Sequence, residues 1–178
     1  MQAAAAKGWV GFKTIAAYRT GLRIDPEATA AGADRELLGQ HAAGLPVRRR
    51  GHLCRSHVLR RALGVAADLR RPMQIHTGFG DSEIRLQEAH PLLLDAVLRT
   101  PEGEAASIVL IHGSYPWHEE LAYLAATRPN VWADLSLFNI FAPALVGERM
   151  LRVLELAPAA RVLLGTDGHG QPETHWFG

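Results

Sequence analysis

One cysteine, Cys54, stands in 178 residues. That excludes a disulfide framework and fits a reducing compartment. No apolar run approaches the ~20 residues that a bilayer span needs. Residues 1–8 carry an alanine run but lack the long apolar core that a signal peptide places after basic residues. Charge of one sign is also missing, since 19 basic residues against 18 acidic ones leave a formal charge of +1. So even a balance argues against nucleic acid as the main partner. The expectation is a cytoplasmic protein with no membrane or nucleic-acid partner, and with self-association into a homo-oligomer left open. With 48% of residues hydrophobic, a single domain of this length removes roughly 70% of its unfolded surface from water and needs no covalent staple.

What charge there is gathers in one place. Between Pro46 and Pro72 lie Arg48, Arg49, Arg50, Arg55, Arg60, Arg61, Arg70 and Arg71, opposed only by Asp68. Leu53, Val58, Leu59, Leu63 and Val65 recur among them at nearly helical spacing, which reads as the solvated side of a helix. No aromatic residue interleaves the arginines, as stacking on single strands would require.

Five short apolar, β-branched runs, residues 9–15, 73–76, 108–112, 131–135 and 161–166, are each followed by glycine or polar residues. Near-continuous apolarity suits strands buried on both faces of a parallel sheet. Helical periodicity marks 84–98, 119–126 and 146–156, the last closed by Pro158. The alternation predicts an α/β fold with right-handed crossovers. Residues 1–178 read as one domain, with a long excursion between the first and second strands.

Polar residues stand where those strands end. Lys13 lies inside the first, His76 ends the second, His112 ends the third, Asp134 lies near the end of the fourth, and Asp167 follows the fifth. Titratable groups at the C-terminal ends of parallel strands converge on one mouth, where barrel enzymes keep their chemistry. Two imidazoles and a carboxylate suffice for a catalytic divalent ion with one position left for water. Each has a plainer use: a strand-end histidine can be hydrogen-bonded structure, and an aspartate after Gly-Thr can turn the chain. Around the mouth, Tyr18 and Arg19 follow the first strand, Gly78 and Gly80 follow His76, and Tyr115 and Trp117 follow His112. Arg19 is a candidate clamp for a substrate carboxylate, and Tyr115 a candidate aromatic wall. His169 and Glu173 follow Asp167 and could orient it or a substrate group. His118 and His175 read as surface residues, and His90, before Pro91, as a helix-start or loop residue.

The segments VGFKTIAAYRTGL, PMQIHTGFGD, VLIHGSYPWHEELAYLAATRPNVWADLSL and RVLLGTDGHGQPETHWFG resemble amidohydrolase-related family 2. The closer likeness is to the branch fused to glutamine-synthetase-like domains. The resemblance implies a (β/α)8 TIM barrel with a metal, zinc or manganese, at its C-terminal mouth. It implies His76 as the fifth-strand ligand, His112 as the sixth-strand histidine (ligand or acid–base group) and Asp167 as the eighth-strand ligand and proton acceptor. Lys13 falls near a fourth-strand position that bridges two metals in some relatives. Nothing in the sequence matches the family's first-strand His-x-His pair. The expectation is a partial barrel comprising about strands four to eight, the N-terminal strands and the final helix lying outside it. The implied activity is metal-dependent hydrolysis of C–N bonds in small-molecule amides, γ-glutamyl amides among them. Decarboxylation on the same scaffold is one alternative, and a non-catalytic remnant of such a barrel is another.

Overall fold

The computed structural model describes residues 1–42, 51–168, 170 and 172–176. Strands β1 (Phe12–Thr14), β2 (Met73–His76), β3 (Ile108–Ile111), β4 (Val131–Asp134) and β5 (Val162–Leu163) lie side by side in chain order, every pair parallel. Sequential order means that each connection moves one strand along in the same sense, as in a barrel, with no reversal of the kind a doubly wound sheet contains. Among the described residues the sheet is open, with β1 and β5 as edges. This is a partial barrel.

The register sorts the side chains into two faces. Phe12, Met73, Ile108 and Val131 form one row, and Thr14, Ile75, Leu110, Ala133 and Val162 form another. Both rows belong to the hydrophobic core or pack against it, apart from Thr14. The intervening positions (Lys13, Gln74, Val109 and Trp132, then His76, Ile111, Asp134 and Leu163) point the other way, because successive strand residues alternate. On this second face Lys13, Gln74 and Leu163 are exposed, while His76, Val109 and Ile111 in the middle of the sheet are buried. One face is therefore covered by helices, and the other opens toward what would be the barrel interior.

The covering helices form where apolar residues recur at helical spacing. In chain order the helices are α1 (Gln2–Ala6), α2 (Ala30–Ala42), α3 (His52–Asp68), α4 (Asp95–Leu98), α5 (Pro101–Ala105), α6 (His118–Thr127), α7 (Phe138–Phe141), α8 (Val146–Leu156) and α9 (Glu173–Trp176). The excursion before β2 thus contains α2 and α3. On α3, Leu59, Leu63 and Ala66 are buried, which confirms the arginine-rich segment as an amphipathic helix. Arg60 of that helix pairs with Glu102 on α5. Arg48, Arg49 and Arg50 lie outside the described residues. On α6, Leu121, Ala122, Leu124 and Ala125 are buried, while Glu119 and Glu120 occupy the first turn, where the helix dipole favours negative charge.

One predicted helix, 84–98, is broken. It becomes two 3₁₀ turns, Leu86–Ala89 and Pro91–Leu94, followed by α4. Pro91 disfavours the helical region for His90, which is extended, and its ring nitrogen Nδ1 accepts a hydrogen bond from Leu92 N. His90 is therefore a cap, as its place before proline suggested. His118 departs from its expected surface position: it is buried, and its Nδ1 donates to the Gly113 carbonyl at 2.9 Å. Among the described residues no helix is long and apolar enough to cross a membrane.

The two faces predict different tolerances. Leu110→Ala, at the fully buried centre of β3, should lower unfolding free energy by about 2–5 kcal/mol. Leu164→Ala, at an exposed position just after β5, should change it by no more than about 0.5 kcal/mol. Urea titrations of both variants check the contrast.

Candidate active site

Strands β2, β3 and β5 deliver their following residues to one cleft of about 650 Å³. It is lined by Lys13, Tyr18, Arg19, His76, Asp81, Glu83, His112 and Asp167 among others. Tyr18, His76 and His112 stand in a row. The Tyr18 and His76 rings are 4.7 Å apart and the His76 and His112 rings 4.6 Å, each pair edge to face. Chain distances of tens of residues are closed by parallel pairing alone, since His76 and Ile111 are register partners and His112 follows.

The backbone at this rim is unusual. His112, Gly113 and Ser114 all have positive φ, as do Leu137 after β4 and Asp167 after β5. For residues other than glycine each such conformation costs on the order of 1 kcal/mol or more and persists only where neighbours enforce it. The enforcement is visible. His112 N donates to Asp134 Oδ2 at 3.3 Å. The buried Thr77 hydroxyl donates to the Ile111 carbonyl at 2.8 Å and, with its proton so used, accepts from Ser114 Oγ at 2.7 Å. Gly78, at φ +71°, passes so close to the Ser114–Tyr115 backbone that a Cβ would collide with it. A Cβ on Gly80 would overlap the Tyr18 hydroxyl, which itself accepts a hydrogen bond from Asp81 N at 3.1 Å.

Hydrogen bonds also set which ring nitrogens carry protons. The Phe79 carbonyl can only accept, so His76 donates to it from Nε2 (2.9 Å), and a neutral ring keeps its lone pair on Nδ1. Burial lowers the His76 pKa, and the Lys13 ammonium adds to the effect, while the Asp167 carboxylate opposes it. Burial, with smaller contributions from His76 and Lys13, brings His112 down to about 3. Burial likewise raises the Tyr18 hydroxyl. At neutral pH the cleft holds two uncharged imidazoles, suited to ligate a cation or to take a proton.

The expected site residues meet only in part. His76, His112, Asp167 and Arg19 line the one cleft, Arg19 lying 3.6 Å from Glu83 across a partly exposed ion pair. Lys13 lines it too, one register layer below His76. Tyr115 does not; it packs behind the rim against Phe79, His118 and Arg149. His169 lies outside the described residues. Among the described residues no three His, Cys, Asp or Glu side chains are gathered closely enough to hold a metal ion. The donors suit a divalent cation in kind, but their spacing does not yet enclose one. Ser136 was missed in the sequence, although a serine two residues after an aspartate is the pattern of a side-chain-capped turn.

The amidohydrolase family pattern matches residues 9–178. The chain belongs to the amidohydrolase family. Protein fluG of Emericella nidulans is 34% identical to this chain over 183 residues, a stretch covering 94% of the chain and 20% of fluG. A crystal structure of a "putative metal-dependent hydrolase" from Lactobacillus casei matches with a TM-score of 0.86 at 31% identity, covering 98% of the chain and 46% of that protein. The chain therefore spans a fifth of the one relative and under half of the other.

Neutral buried histidines make an acid-sensitive protein. His112 gains its proton near pH 6.5 when unfolded but only near pH 3 when folded. Its contribution to stability is thus intact above pH 6.5 and is lost as pH falls toward 3. For the metal-free chain the expected loss between pH 7 and pH 4 is about 3 kcal/mol from His112, with His76 adding in the same direction. Urea midpoints across this range measure it, and His112→Gln should flatten the slope.

Proposed function

We propose that this chain carries the working half of a hydrolase mouth that cleaves C–N bonds of amides. One observation carries the reading: two neutral imidazoles from adjacent parallel strands stand ring to ring in a cleft that Asp167 also lines. His76, His112 and Asp167 are the residues that would hold a divalent cation, zinc or manganese. When bound, such an ion lowers the pKa of water toward neutrality and polarises a carbonyl.

The chain's own residues supply the rest. Asp167 is the proton acceptor for the attacking water, and His112 either takes that proton on its lone pair and passes it to the leaving amine or completes the ligand set. Arg19 at the rim exchanges Glu83 for a substrate carboxylate, which a guanidinium receives through two parallel hydrogen bonds. γ-Glutamyl amides, with a free α-carboxylate at the far end of the glutamyl chain from the scissile amide, have the chemistry this arrangement takes. That the Lactobacillus casei relative is described as metal-dependent supports the reading.

A second reading, a chain that does not catalyse on its own, draws on the absence of an assembled three-donor group among the described residues. Equilibrium dialysis of the whole chain against zinc, and separately against manganese, distinguishes the two. The hydrolase reading expects uptake near one equivalent that disappears in His76→Ala and Asp167→Ala, together with amine release from a γ-glutamyl anilide. No uptake near neutral pH, or uptake indifferent to both substitutions, would overturn it. Carbon dioxide release from an aromatic acid, with no amine release from amides, would transfer the site to decarboxylation.

A further inference from the structure

His112 Nδ1 lies 3.0 Å from Ser136 Oγ. The same hydroxyl makes a short hydrogen bond to Asp134 Oδ2. That oxygen is already fixed by two backbone donors, His112 N at 3.3 Å and Ser136 N at 3.2 Å. An ionised carboxylate only accepts, and a serine has one proton to give. Ser136 must therefore spend its proton on Asp134, and its contact with the ring must be donated by the ring. In the opposite tautomer either the ring lone pair would face a serine lone pair, or the serine would turn its proton to the ring and leave two oxygens in close, unbonded contact.

We propose that Ser136 and Asp134 are positioning residues for His112. Together they form a carboxylate–hydroxyl–imidazole relay that fixes the ring as its Nδ1–H tautomer and reserves the Nε2 lone pair for the cleft. The relay runs from the end of β4 to the residue that follows β3. Its burial supports it: His112 and Ser136 are 1% and 6% exposed, so water does not compete for these atoms. The neighbouring His76 is held the opposite way, with its proton on Nε2 and its lone pair on Nδ1. The facing rings thus present unlike nitrogens, and exchanging their tautomers would break both sets of hydrogen bonds. Outer partners that fix a working imidazole are commonly worth about 10–100-fold in metal affinity or activity.

The tautomer is testable without metal or turnover, so this inference and the hydrolase reading fail separately; only its catalytic consequence rests on that reading. In the metal-free whole chain, labelled with ¹⁵N in histidine, long-range ¹H–¹⁵N correlation spectra near pH 7.5 report which ring nitrogen is protonated. The His112 signal is assigned by its loss in His112→Gln. The expected pattern is a protonated Nδ1 and an unprotonated Nε2 for His112. Ser136→Ala should shift the ring toward the other tautomer or a mixture, Ser136→Thr should restore the pattern, and Asp134→Asn should weaken it. In turnover, Ser136→Ala should lower kcat about 10–100-fold with KM little changed. A wild-type His112 ring protonated on Nε2 overturns the proposal. So does a Ser136→Ala ring with unchanged signals.

Discussion

A parallel strand that always passes to its next neighbour through helices on one face leaves the other face uncovered and sends every strand's C-terminal end to a single rim. That constraint governs the molecule. It explains why Met73, Ile75, Ile108, Leu110, Val131 and Ala133 are buried against helices while Lys13 and Gln74, their register neighbours, are exposed. It also explains why His76, His112 and Asp167, scattered along the sequence, share one cleft. Spacing in the chain is irrelevant once register partners are adjacent; what matters is the position of each residue relative to its strand's last paired residue.

Much of this was legible because the signals were local and strong. Apolar runs of β-branched residues located the strands to within a few positions, and apolar periodicity located α3, α6 and α8. The strand-end residues His76 and His112 could be named because each directly follows or closes such a run. Other features were hidden for physical reasons. Residues 84–98 carry a helical pattern, yet Pro91 and the capping ring of His90 divide it; the backbone restriction outweighs the periodicity. From the sequence His118 reads as a surface residue. Its ring instead satisfies the Gly113 carbonyl exposed by a left-handed turn, and that turn is invisible in composition. Tyr115 follows His112 closely in sequence, but the same turn reverses the chain and carries its ring behind the rim.

The rim is strained and polar at once, and the two properties sustain each other. Positive φ at His112 and Ser114 directs backbone donors away from the strand ladder, and side chains take them up. Asp134 receives His112 N, and Thr77 ties the Ser114 hydroxyl to the Ile111 carbonyl. Thr77, His112 and Ser114 are buried and Asp134 is half-buried at their margin, so these hydrogen bonds compete little with water and the rings remain neutral. Removing any one partner leaves another buried polar group unsatisfied, at a cost of about 1–3 kcal/mol.

Neutrality of the histidine pair and openness of the sheet are in tension, and the geometry shows how they coexist. His112 sits between β2 and β4, one layer above the exposed row of Lys13 and Gln74, so protein rather than solvent surrounds its Nδ1 edge. Asp167, at the open β5 side, is exposed, and Lys13 at the open β1 side is exposed as well. Lys13 and Asp167 thus lie toward the two edges, beside water, while the neutral His76 and His112 rings, with the half-buried Asp134 behind them, occupy the middle of the sheet. The sheet's order therefore divides the site as well as the packing: the central strands hold the two neutral rings in protein, and the edge strands place Lys13 and Asp167 beside water.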